Sequence, residues 1–330
     1  MSDVQNQKKV LLDVQGLKKY FEVKEGFFKT QLLKAVDEIS FRVYEGETLG
    51  IVGESGCGKS TTGNMLIHLI EKTGGTIVFD GKNFDDLTAE EMRSLRSDIQ
   101  MIFQDPFSSL NPRMKVKEII SEPIRTHTNK SKEEIEQDVY NLMEAVGLDK
   151  SYANRYPHEF SGGQRQRIGI ARAIALRPKL VICDEPISAL DVSIQAQILN
   201  LLMKLQKDYQ LTFIFIAHGL PAVKYISDRI AVMYLGKIVE ITTRDQLFEK
   251  PLHPYTVSLV SAVPLPDPTI RDVRKRIILE GDVPSNVHLP SGCRFHTRCP
   301  FATEKCKMES PELVEHEQGH EVACFYPLAN

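Results

Sequence analysis

The sequence lacks the marks of a membrane-spanning, exported or nucleic-acid-binding chain. Apolar runs are short: Leu211 to Ala217 (LTFIFIA) is one of the more apolar stretches, far below the roughly 20 residues needed to cross a bilayer. If a membrane is involved, a partner must cross it. The opening MSDVQNQKKV has no apolar core ahead of a cleavage site, so no secretory signal is expected and the cysteines should be reduced. Charged residues make up 26% of the chain, yet the net charge is only -3. That leaves no electrostatic footprint for nucleic acid. Internal repeats and low-complexity tracts are absent. What is present is length, 330 residues, enough for one large domain with an appendage or for two domains.

The first half alternates short apolar runs with helical patterns, as a layered α/β domain does. EISFRV, ETLGIVG, GTIVFDG and IQMIFQ read as strands, and KSTTGNMLIHLI as a helix. Between Pro112 and Phe160 the pattern turns helical. Ser131 and Glu134 have capping-box spacing, and Ile135, Val139, Leu142, Met143 and Val146 line one face ahead of Gly147. A helical subdomain over about 112–162, inserted into the sheet domain, is expected. Strand signals return at KLVICDE, LTFIFIA and RIAVMYLGKIVEI, the last with a hairpin turn at Leu235 and Gly236. The sheet domain is expected over 1–263, with a linker and a cysteine-rich extension over 264–330. Seven prolines between Pro251 and Pro290 predict extended chain there.

GESGCGKS, from Gly53 to Ser60, fits G-x-x-x-x-G-K-[ST] and stands after a strand and before a helix, where that motif works. Gly53, Gly56 and Gly58, with Ser55 and Cys57 between them, let backbone N–H groups turn inward around phosphate oxygens, and the helix N-terminus adds its positive end. Lys59 is expected to reach the β- and γ-phosphates of ATP. Ser60 would offer its hydroxyl to Mg²⁺, with Thr61 beside it. Cys57 reads as a small residue that fits the loop. A second element, LVICDEP, ends an apolar strand in Asp184 and Glu185. Carboxylates at such a place need compensation, and Mg²⁺ supplies it. Asp184 is expected to hold the metal, directly or through water, and Glu185 to orient and deprotonate the attacking water.

FSGGQRQR, from Phe160 to Arg167, resembles the signature of the ATP-binding-cassette (ABC) ATPases, and the resemblance covers nearly the whole chain. It implies a P-loop NTPase of the RecA-like α/β class. Phe160 departs from the usual leucine. Ser161 is a good N-cap, and Gly162 and Gly163, followed by Gln164, allow backbone N–H groups to approach an anion. Gln104 resembles the Q-loop glutamine that senses Mg²⁺ and the membrane partner. SALD, Ser188 to Asp191, resembles the D-loop, and His218 the switch histidine at the γ-phosphate. Gly219 departs from the aspartate that commonly follows and removes a local helix cap. LKKYF resembles the aromatic loop that stacks on adenine, with Phe21 favoured over Tyr20. In this family two cassettes pair head to tail, so Lys59 would act on the chain's own ATP and Ser161 on the nucleotide held by the partner.

FQDPFSSLNPR (Phe103 to Arg113), HPYTVSLVSAVP (His253 to Pro264) and the cysteine tail resemble the oligopeptide/dipeptide importer ATPases, in particular the second of their two ATPase chains. The resemblance implies ATP hydrolysis that drives peptide import. It also implies a second ABC ATPase subunit in a heterodimer, two transmembrane permease subunits, an extracellular solute-binding protein, and a peripheral place on the cytoplasmic face of the membrane. Relatives carry nickel and other small solutes. A soluble, non-transport ABC ATPase is the other reading, opposed by the lack of a second cassette, a coiled-coil insertion and a basic patch. Cys293, Cys299, Cys306 and Cys324 are separated by five, six and seventeen residues, without paired C-x-x-C. Four thiolates would repel one another without a cation. The resemblance implies a [4Fe–4S] cluster; structural zinc and plain reduced thiols fit the same residues. Cys183 reads as packing.

Overall fold

The structure, a computed structural model, describes residues 9–25, 29–263, 279 and 281–328. In chain order the elements begin with β1 (Val10–Glu25), β2 (Lys29–Tyr44), β3 (Thr48–Val52), α1 (Lys59–Leu66), β4 (Gly74–Phe79), β5 (Lys82–Asn83), α2 (Ala89–Asp98) and β6 (Ile99–Ile102). Next come α3 (Val116–His127), α4 (Lys132–Ala145), α5 (Gly162–Ile174), β7 (Leu180–Asp184), α6 (Val192–Tyr209), β8 (Thr212–Ala217) and α7 (Leu220–Ile226). The last are β9 (Arg229–Tyr234), β10 (Lys237–Thr243), α8 (Arg244–Glu249), α9 (Pro254–Ser261), α10 (Glu304–Met308), β11 (Val314–Glu317) and β12 (His320–Val322). They fall into two compact units: Met1–Leu12, Val43–Thr48 and Val78–Ile216 form one, and Asp13–Arg42, Leu49–Ile77 and Ala217–Asn330 the other.

In the first unit β6, β7 and β8 run parallel, with Ile99 opposite Leu180 and Leu180 opposite Thr212. Every residue of β7 and β8 is buried, the continuous apolar pattern of a strand covered on both faces. The helical stretch foreseen from Ser131 is α4: Ser131 accepts from the Glu134 N–H, and Glu134 accepts in return from the Ser131 N–H. Val139, Leu142 and Met143 of α4 are buried, as are Ile119, Ile120 and Ile124 of α3.

In the second unit the strand order is β11-β12-β10-β9-β3. β3 and β9 are parallel, while β9 and β10 form an antiparallel hairpin. Leu235 and Gly236 both have positive φ (43° and 79°) at its turn, the backbone that a two-residue hairpin with matching twist requires. A register shift between Ile238 and Glu240 interrupts the hairpin, and Glu240 is fully buried there. A bulge re-aims a side chain in this way.

Two expectations are revised. The helix read through KSTTGNMLIHLI ends at Leu66, and His68 takes a left-handed φ of 54°. The extended chain expected from Pro251 is broken by α9, with Pro254 in its first turn, where proline gives up no helical hydrogen bond. Of the rest of the expected linker, 264–278 and 280 lie outside the described residues, while 281–290 form neither helix nor strand. Beyond it, β12 pairs with β10 (Glu240 opposite Val322) and β11 with β12, so the chain after the prolines extends the sheet. No helix among the described residues is long and apolar enough to cross a membrane.

Candidate nucleotide site and cysteine cavity

The phosphate-loop motif lies in the second unit, between β3 and α1. Gly58 caps α1 with φ 105°, and a Cβ there would stand 2.2 Å from the Ala35 carbonyl oxygen; both the backbone and the space demand glycine. Lys59 is buried, and its Nζ donates to the carbonyls of Gly53 (2.8 Å) and Glu54 (3.2 Å). The ammonium is thus folded over a loop whose amides could take an anion. Ser60 and Thr61 follow it in the first turn of α1. Cys57 is buried and its thiol is pushed up by desolvation, in keeping with a packing role. The loop is held from outside at several points. The Glu54 N–H donates to the Tyr255 hydroxyl (3.0 Å), the Gly236 N–H donates to the Cys57 carbonyl (2.9 Å), Arg298 Nη1 donates to Glu54 Oε2 (2.9 Å), and Asn286 Nδ2 donates to the Gly56 carbonyl (2.6 Å).

Also in this unit, the Tyr20 hydroxyl donates to Asp37, whereas the Phe21 ring is 37% exposed with Lys19 Nζ 4.9 Å from its centroid. His218 follows β8 and is exposed. Gly219 is the N-cap of α7 and offers no side-chain bond, as the missing aspartate foretold.

The first unit carries the remaining predicted residues. Asp184 ends β7 and is buried. Glu185 has a left-handed φ of 44°, its N–H donates to the Ile216 carbonyl (3.0 Å), and its Oε2 accepts from Gln104 Nε2 (3.1 Å). Ser161 caps α5, its hydroxyl accepting from the Gln164 N–H (3.4 Å) while Gln164 Oε1 accepts from the Ser161 N–H (3.1 Å). Gly163 has a packing reason too: a Cβ there would stand 2.6 Å from Ile194 Cγ2, whereas at Gly162 a Cβ would meet only ordinary contact, 3.4 Å from Leu190 Cδ2. Asp191 is the N-cap of α6, and Gln195 Nε2 pins the loop before it through the Ile187 (3.1 Å) and Leu190 (2.9 Å) carbonyls.

Cys293, Cys299, Cys306 and Cys324 all line one cavity in the second unit. Chain crossing brings them together: the Cys293 N–H donates to the Cys306 carbonyl (2.8 Å), and a Cβ on Gly292 would stand 2.5 Å from that oxygen. Burial pushes the Cys293 and Cys299 thiols up and the Cys324 thiol to about 11, and the neighbouring sulfurs add to the effect. Amides two residues on, those of Phe295, Phe301 and Tyr326, act in the opposite sense as donors to the sulfurs of Cys293, Cys299 and Cys324. Among the described residues no group of three or more His, Cys, Asp or Glu side chains is arranged to hold a single metal ion. Neither the zinc nor the cluster reading gains support from this. Cys183 is fully buried and its thiol is pushed up by desolvation.

The cavity is fastened by an aromatic cluster that the sequence did not reveal. Phe295 is buried against Tyr234, Tyr255 and His253, with ring centroids 5.2, 5.5 and 5.5 Å away. Burial pulls the His253 imidazole down to about 4, so it stays neutral and its Nδ1 accepts from the Tyr255 N–H (3.1 Å). Glu240 accepts from the Leu252 N–H (2.8 Å), the His253 N–H (2.9 Å) and His320 Nε2 (2.7 Å).

Comparison with known proteins shows the family and the fold. Residues 36–188 match the family model of the ABC transporters, and residues 239–306 match that of the oligopeptide/dipeptide transporter C-terminal region. The ATP-binding cassette MJ0796, solved as a dimer with ADP and Pi, superposes with a TM-score of 0.64 at 27% identity, over 71% of this chain and 99% of that one. The chain belongs to the ATP-binding proteins of ABC transporters, in the branch that carries the oligopeptide/dipeptide C-terminal region. The oligopeptide transport ATP-binding protein OppF of Salmonella typhimurium is 54% identical over 98% of each chain. AppF of Bacillus subtilis is 52% identical over 95% of this chain and 96% of its own. The dipeptide transport ATP-binding protein DppF of Haemophilus influenzae is 48% identical over 96% of both.

Proposed function

We propose that the chain is the ATPase subunit of a peptide importer, binding and hydrolysing ATP on the cytoplasmic face of the membrane. Near end-to-end similarity to an oligopeptide transport ATP-binding protein, at 54% identity over 98% of the chain, carries the reading. The chemistry needed is present. Lys59 can leave the Gly53 and Glu54 carbonyls for the β- and γ-phosphates, while Ser60, Asp184 and Gln104 suit Mg²⁺. Glu185 is the base that takes a proton from water, and His218 the contact to the γ-phosphate. Phe21, with its exposed ring, suits adenine better than Tyr20, whose hydroxyl is committed to Asp37. Ser161, Gly162, Gly163, Gln164 and Asp191 face the nucleotide of a second ATPase subunit. ATP binding closes such a pair and hydrolysis releases it, a shift of populations set by contacts made only while the γ-phosphate is present. Two permease subunits and an extracellular solute-binding protein complete the assembly.

The four cysteines that line one cavity are the residues that would hold a [4Fe–4S] cluster. Each thiolate of such a site binds its own iron, so convergence on one ion is not required, and amide donors to cluster sulfurs tune these sites. Bound there, it would fasten the extension and hold as thiolates the sulfurs that burial otherwise keeps protonated.

The test is co-expression and reconstitution with the permease subunits of a peptide importer. ATPase activity that rises on reconstitution with the permeases and a peptide-loaded binding protein is the expected result. A chain that purifies alone and hydrolyses ATP at the same rate with or without them would sink the importer reading.

A further inference from the structure

We propose that Arg298 and Asn286, both from the chain after α9, are positioning residues of the phosphate loop, so that the extension that carries the cysteines sets the affinity for ATP. The proposal rests on the reading of GESGCGKS as the ATP site.

Arg298 Nη1 donates to Glu54 Oε2 at 2.9 Å, with the two side chains 9% and 26% exposed. Glu54 sits in the loop beside Gly53, and its carbonyl holds Lys59 Nζ. A bare carboxylate at that place would repel the triphosphate the loop is built to take. Arg298 neutralises it and keeps it turned toward the extension.

Asn286 acts on the backbone. The C=O and N–H of a trans peptide point in opposite directions. With the Gly56 carbonyl held by Asn286 Nδ2 (2.6 Å), the Cys57 N–H faces the other way, where it meets the Glu54 carbonyl at 3.3 Å. The Lys34 N–H donates to the Asn286 carbonyl (3.2 Å), so Asn286 is itself fixed to β2.

Both residues arrive on a braced segment. Arg294 donates to the Leu235 carbonyl and to Asp37, and Phe295 is locked in its aromatic cluster. Arg298 also adjoins Cys299, so a change in the cysteine cavity is felt one residue from the loop's counter-charge. Support of this kind, in which surrounding groups fix the residues that orient a site, governs how well the site binds.

The experiment is titration of the intact chain with Mg·ATP. Arg298→Met should raise the Kd about fivefold, and Asn286→Ala about threefold. Arg298→Lys should keep most of the wild-type affinity. Adding Glu54→Gln to Arg298→Met should restore most of the loss, because it removes the charge that Arg298 covers; a merely structural role would not produce this rescue. Wild-type Kd values in both Arg298→Met and Asn286→Ala, or a loss in Arg298→Met that Glu54→Gln leaves in place, would overturn the proposal. Undiminished binding in Lys59→Ala would instead overturn the nucleotide reading and this proposal with it.

Discussion

Gln104 Nε2 donates to Glu185 Oε2 at 3.1 Å, which joins two residues that the sequence places eighty-one positions apart and assigns to different tasks. Glu185 is also held at φ 44°, a backbone that costs a non-glycine residue on the order of 1 kcal/mol and persists where the surroundings impose it. The carboxylate proposed as general base is therefore aimed by the residue proposed to report on the membrane partner.

Glu185→Gln keeps the shape and the hydrogen bond but removes the base. ATP turnover should fall by at least about 100-fold with nucleotide binding retained. Gln104→Ala should lower turnover by a smaller factor, about tenfold, by releasing the carboxylate. A steady-state phosphate-release assay on both variants decides; equal rates in Glu185→Gln and wild type would remove the assigned base.

Lys59 donates its ammonium to the Gly53 and Glu54 carbonyls of the loop. Lys59→Met should weaken ATP binding between about 10- and 100-fold, the effect of one charge-assisted contact, with little change in melting temperature. Fluorescent-nucleotide titration alongside a thermal melt reads both.

Glu240 is fully buried and accepts three hydrogen bonds. Glu240→Ala strands the Leu252 and His253 amides and the His320 imidazole, a change expected to cost about 3 kcal/mol or more. Protease should then cut the extension far faster than in wild type, and a mass-spectrometric time course would show it.

Protein prepared without oxygen should contain iron and acid-labile sulfide in about equal amounts, near four of each per chain. Cys306→Ser should lose both and should lower the temperature at which the extension becomes protease-sensitive. Preparations free of iron and sulfide that still support peptide uptake would rule the cluster out.

Asp80 bridges Lys9 (2.9 Å) and Lys179 (2.6 Å), and hydrogen bonds from Lys179 first and Lys9 second hold its carboxyl down at about 2, against 3.8 unperturbed. The unfolded chain binds the proton first as pH falls, so the stabilisation is whole above about pH 4 and fades toward pH 2. With solvent screening allowed for, Asp80→Asn should cost about 1 kcal/mol at neutral pH. The gap in urea midpoint between the two proteins should narrow across that acid range.

Much of this was legible because strands and caps are local. The alternating runs located β3, β6, β7 and β8, the Ser131–Glu134 pair located α4, and each motif carried its chemistry in fixed spacing. The contacts that brace the phosphate loop were not legible. Glu54 and Arg298 are 244 positions apart, and nothing in the spacing of an arginine among cysteines points to a glycine-rich turn. In the sequence HPYT is a family mark, and in the structure it places a buried tyrosine on the loop and a neutral histidine at the head of α9. The tail's strands were missed for a simpler reason: VEHE and HEV are too short and too polar to announce themselves, and β10 supplies the pairing that makes them strands.

That pairing shields more than the tail. Without β12, β10 would offer a row of bare amides and carbonyls along its flank, the kind of rim on which foreign chains assemble. A gene product cut short after α9 is therefore liable to stick to copies of itself, and two intact molecules at high concentration could trade their terminal ribbons and emerge as an exchanged pair.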